Sequence, residues 1–118
     1  MTDTFEEQFA PLLKEVFTSH AQEQLQQGAD GLALARSYAE HGKPDFALAF
    51  LLLVNIPDDE KRQVLAQAYE QRARFSEEKA RQYDRQFHRS FPLIKLEAQK
   101  DRRLARAIRG GQITPSDE

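Results

Sequence analysis

The sequence predicts an all-α domain of five to six antiparallel helices, and three observations lead there. Apolar residues recur at helical spacing along most of the 118 residues, the alternation that marks strands is nearly absent, and the five Gly and five Pro fall at joints between periodic segments. With 31% charged and 40% hydrophobic residues the composition is that of a globular protein, and the length suits one domain, expected over residues 1–111 with a flexible tail at 112–118.

The elements follow in chain order. Residues 4–10 read as an arm, after which Pro11 opens a first helix with Leu12, Leu13, Val16, Phe17 and Leu25 on one side and Gly28 as its stop. Asp30 is placed to cap a second helix over 32–41, closed by Gly42 in a left-handed conformation. Pro44 and Asp45 start a third, whose run from Ala47 to Val54 is apolar on every side and therefore requires burial all round. At eight residues that run is too short to span a bilayer. Asn55, Pro57 and the acids Asp58, Asp59 and Glu60 favour a helix start, giving a fourth helix over 58–73. Ser76 reads as the N-cap of a fifth, running to His88 with Ala80, Tyr83 and Phe87 as its apolar stripe. Phe91-Pro92 breaks the chain because a residue before proline avoids helical geometry. A sixth helix over 93–109 then carries Leu93, Leu96, Leu104 and Ile108 on one side, and Gly110-Gly111 end it.

Several function classes are disfavoured by what is absent. Without cysteine there is neither a disulfide framework nor thiol chemistry, which fits a reducing cytoplasm. The first residues lack the basic-then-apolar order of a signal peptide, and no membrane association is expected. His20, His41 and His88 fall on three different predicted helices without the spacing of metal ligands, and Asp84 with His88 reads as an ordinary helical pair. Ser19-His20 are neighbours on a helix and point about 100° apart, too far for a nucleophile and its base. Gly110-Gly111 follows a helix and so offers no amide cradle for phosphate. The expectation is a non-enzymatic protein without cofactor or metal.

Charge is unevenly spread. Residues 1–60 carry 3 basic and 11 acidic residues, residues 61–118 carry 14 and 8, and Lys95, Lys100, Arg102, Arg103, Arg106 and Arg109 cluster on the last helix. Such a helix suits an acidic protein surface, a second copy's acidic first half, or nucleic-acid phosphate. Glu97 and Asp101 interrupt the patch, tryptophan is absent, and the acidic remainder of the chain repels a polyanion. Protein binding is therefore preferred, with RNA or DNA binding through 95–109 as the alternative.

An internal repeat adds a second line. Leu34-Ala35-Arg36-Ser37-Tyr38 and Leu65-Ala66-Gln67-Ala68-Tyr69 share Leu-Ala-x-x-Tyr at an offset of 31, and after a two-residue insertion Ala47, Phe50 and Val54 align with Ala80, Tyr83 and Phe87. Two helix hairpins, over 31–54 and 62–87, are expected. At Leu34, Ala35, Tyr38, Gly42, Ala47, Leu48, Leu51 and Pro57 the chain resembles the tetratricopeptide repeat, although the proline comes two residues early. In the second unit Leu65, Ala66 and Tyr69 fit, but no Gly stands in the turn and the alanine is displaced. The resemblance covers about residues 31–91 and implies a scaffold that binds peptides or partner proteins, as an adaptor or an assembly or chaperone-type factor. Two repeats offer little concave surface, so self-association is a further expectation. Leu51, Leu52 and Leu53 span most of a helix circumference, which makes Leu52 a candidate contact for a partner.

Overall fold

The computed structural model describes residues 4–110, and 80% of the structure is helical. The elements are α1 (Phe5–Phe9), a 3-10 turn (Ala10–Leu12), α2 (Glu15–Gln26), α3 (Gly31–Glu40), α4 (Pro44–Leu51), α5 (Asp58–Phe87) and α6 (Pro92–Arg109). The fold is all-α. Among the described residues there is no strand and no helix long and apolar enough to cross a membrane. The expected tail at 112–118 lies outside the described residues.

The hairpin α3–α4 forms the centre. Asp30 accepts a bond from the Ala33 amide at 3.1 Å and fixes the start of α3, while Gly42, at φ +67°, turns the chain into Pro44 at the first turn of α4. A Cβ at Gly42 would stand 2.9 Å from the backbone nitrogen of Arg72, so only glycine lets this turn lie against α5. From Ala47 to Leu51 every residue of α4 is buried, as an all-round apolar helix requires. Tyr38 stacks on Phe46 and Phe50 at ring distances of 5.0 and 5.9 Å, and Phe17 meets Phe46 edge-on at 5.0 Å. Ala47 has no exposed surface at all. Ala47→Leu is therefore expected to cost about 1–3 kcal/mol through overpacking, read by chemical denaturation; a loss below about 0.5 kcal/mol would mean the neighbouring helices yield at this point.

The N-terminal segment departs from the expected arm. Thr4 caps α1 by accepting from the Glu7 amide at 3.1 Å, and the Phe5 amide donates to Asp58 Oδ2 at 3.0 Å, tying α1 to the start of α5. Phe5 and Phe9 are buried. The overlooked signal is Thr4 followed three residues on by Glu7, the pattern of a capping box. Pro11 consequently lies in the 3-10 turn, and α2 begins four residues later than expected, at Glu15.

The largest correction concerns residues 58–88, where two expected helices are a single helix of 30 residues. Ser76 does not cap anything there. A serine inside a helix costs only a few tenths of a kcal/mol, and packing along the whole length outweighs that. Ala66, Ala73 and Ala80 recur every seven residues on α5, Ala98 and Ala105 do so on α6, and all five are at most 1% exposed. Small residues at heptad spacing bring the antiparallel pair close together, and the seam needs α5 unbroken. The second hairpin is thus α5–α6, and residues 62–87 do not form one. Arg36 on α3 pairs with Glu60 and, further along, Gly42 meets Arg72, so α3 and α5 run in the same direction.

Candidate interaction surface

The heptad alanines decide how α6 presents its charges. Ala98, Asp101, Leu104, Ala105 and Ile108 are buried, and the residues on either side of that line reach across to α5. Lys95 pairs with Asp84 at 3.9 Å, Arg102 with Glu77, and Arg109 with Glu70, while Arg109 Nε also donates to Gln63 Oε1 at 3.0 Å. These three cations are held by their own hairpin. Lys100, Arg103 and Arg106 are exposed and make no ion pair among the described residues. At positions i, i+3 and i+6 they span an arc of about 120° on the outward face of α6.

Leu93 and Leu96 stand where the sequence pattern did not put them. They were expected beside Leu104 and Ile108, yet they are 75% and 56% exposed, because the seam runs through the alanines. Leu52 is half-buried and packs against the core, and its neighbour Leu53 is the exposed leucine. At the far end of the hairpin Tyr83, Phe87 and Phe91 form a triangle of rings 5.3 to 6.1 Å apart. Phe87 remains 52% exposed.

Near the middle of the hairpin, Asp101 is buried on α6 and receives both Arg72 Nε and Arg72 Nη2 at 2.8 Å. The pair forms one wall of a cleft of about 480 Å³ that Tyr69, Ser76, Glu97, Lys100 and Leu104 complete. Hydrogen bonding to Asp101 strengthens the hold of Arg72 on its proton, against the opposite pull of partial burial. Burial likewise pushes the Tyr69 phenol above its ordinary 10.0, outweighing the lowering by Arg72, whose guanidinium lies 5.1 Å from the ring centroid. Because the folded state holds this proton more tightly than the unfolded chain, the group leaves stability unchanged below pH 10.0 and reduces it as pH rises further. Tyr69→Phe is expected to abolish that alkaline loss, and tyrosinate absorbance on a pH ramp should lose its latest-ionising component. An unchanged ramp would place the phenol in water.

His20 lies edge-on to Phe46 at 5.6 Å, His41 Nδ1 is 2.7 Å from the Ser37 carbonyl, and His88 ends α5 at φ +54°. Among the described residues no group of three or more His, Cys, Asp or Glu side chains is arranged to hold a metal ion.

The structure turns the charge imbalance along the sequence into one of place. Residues 72–109, most of the α5–α6 hairpin, carry 12 basic and 5 acidic side chains, whereas residues 4–71 carry 5 and 11. The molecule is a basic hairpin on an acidic body. No family model, curated protein or solved structure matches the chain.

Proposed function

We propose that this chain is a non-enzymatic interaction module that holds an acidic segment of a partner protein on the outward face of α6. The observation that carries the reading is the division of the six basic residues: Lys95, Arg102 and Arg109 pair with α5, while Lys100, Arg103 and Arg106 are exposed and form no ion pair among the described residues. Exposed Leu96 beside this arc supplies apolar contact that a phosphate backbone would not use and an amphipathic protein segment would. The acidic body further disfavours a long polyanion. The α3–α4 hairpin, with its tetratricopeptide-like segment from Leu34 to Tyr38, supports a scaffold in preference to an enzyme.

The test is a titration of the full chain with a short glutamate- and leucine-rich peptide, run beside duplex DNA and structured RNA. Binding of the peptide is expected, with at least about a tenfold loss in Arg103→Gln/Arg106→Gln and little change in melting temperature, since neither side chain makes an ion pair in the hairpin. Arg102 is the wrong residue to change because its loss also breaks the contact with Glu77. Micromolar binding of duplex DNA at about 150 mM salt, with a log-log salt slope of about −0.9 per phosphate contact and abolished by the same double substitution, would replace this reading with the nucleic-acid one.

A further inference from the structure

Four of the seven large exposed hydrophobic side chains among the described residues fall in two patches of opposite charge. One is the hairpin tip, where Phe87 and Leu93 are exposed and the neighbouring Arg85 and Arg89 are two cations without an ion pair among the described residues. The other is the corner between α1 and α2, where Leu12 is 47% and Val16 67% exposed. Around it lie exposed Glu6, Glu7 and Glu15, with Lys14 the one cation of residues 4–20. Each patch has what the other lacks.

The chain cannot bring its own two patches together. Phe17, next to Val16, lies beside Phe46 and Arg72, and from Arg72 to Phe87 the unbroken α5 extends about 22 Å further. The alanine seam and the Arg72–Asp101 pair hold α6 along that length, so the tip does not fold back. A second copy placed antiparallel meets no such obstacle. Its tip would reach the first copy's corner at the same time as the first copy's tip reaches its own, which is the self-complementary arrangement of a two-fold dimer.

We propose that the protein forms a closed two-fold homodimer in which the basic apolar tip at Phe87 and Leu93 of each copy seats on the acidic apolar corner at Leu12 and Val16 of the other. Apolar contact gives the affinity and the charged rims fix the register. Lys100, Arg103 and Arg106 stay outside both patches, so dimerisation and partner binding are separately measurable.

Sedimentation equilibrium of the full chain tests this over a range of concentrations at low and high salt. A monomer–dimer equilibrium is expected, weakening with salt as the charged rims are screened. Arg85→Glu/Arg89→Glu and, separately, Glu6→Arg/Glu15→Arg should each weaken the dimer by about tenfold or more with unchanged helicity, while the chain carrying all four changes should recover it, because the two rims have then exchanged sign. Three results would overturn the proposal: a monomer at every concentration, mass that grows without limit as concentration rises, or a dimer that the four-site chain fails to restore. The first leaves the proposed α6 surface untouched, since peptide binding there is measured on the monomer as well.

Discussion

Phe50→Ala is expected to remove about 3–5 kcal/mol of stability. Phe50 has no exposed surface and lies where three helices meet. Its ring stacks on Tyr38 of α3 at 5.9 Å, with an interplanar angle of 15°, and His20 of α2 approaches edge-on at 6.4 Å. Truncation therefore loses both the transfer energy of the ring and the stacking, and leaves a cavity bounded by aromatic groups that cannot easily close it. Phe50→Leu keeps most of the volume and should cost about 1.5 kcal/mol or less, so the difference between the two measures the cavity. Chemical denaturation with an unchanged denaturant slope is the readout. A loss below about 1 kcal/mol for the alanine variant would show that α2, α3 and α4 do not converge on this ring.

What the sequence disclosed about the fold depended on how strong the local signal was. Asp30, Gly42 and Pro44 each act on the few residues beside them, and α3 and the start of α4 lie where those signals place them. Ser76 was misleading because an N-cap side chain specifies a helix start only when the preceding chain is free to leave the helix. Here α6 holds residues 73–80 from the other side, and a contact between positions far apart in sequence decided the matter. The heptad of Ala66, Ala73 and Ala80 was visible in the sequence, but alanine is favoured at any helix position and carries little apolar surface, so it advertises a seam far less than leucine does. The same seam explains the leucines at the start of α6. A helical wheel groups Leu93 and Leu96 with Leu104, and only the partner's position shows that the buried line passes through Ala98 instead. For the candidate surface, the six basic residues were legible as a cluster, while their division into paired and unpaired rows was not. That division depends on Glu70, Glu77 and Asp84, which lie on a helix whose continuity the sequence concealed.

The ion pair at the middle of the hairpin should respond asymmetrically to the loss of its two members. Arg72→Ala is expected to cost about 2–4 kcal/mol, because it leaves the Asp101 carboxylate buried without the two hydrogen bonds that offset its removal from water. The Asp101 side chain is 8% exposed and has little water of its own to turn to. Asp101→Ala should cost less, about 1–2 kcal/mol, since the Arg72 side chain is 43% exposed and its guanidinium can recover hydration. Removing both groups should be little worse than Arg72→Ala alone, giving a coupling of about 1–2 kcal/mol in the double-mutant cycle. Arg72→Lys is expected to rescue only in part: a single ammonium cannot reproduce two parallel N–H bonds to one carboxylate, nor the planar approach to Tyr69. Equal losses from the two single changes would mean that water reaches Asp101 as readily as Arg72, and the cleft beside them would then be open to its floor. The pair matters beyond its own energy because it joins α6 to α5 at the level where Gly42 presses on Arg72. A break there should loosen the α3–α4 turn together with the hairpin, and hydrogen exchange in Arg72→Ala is expected to rise at Gly42 and Lys43 as well as along residues 98–104.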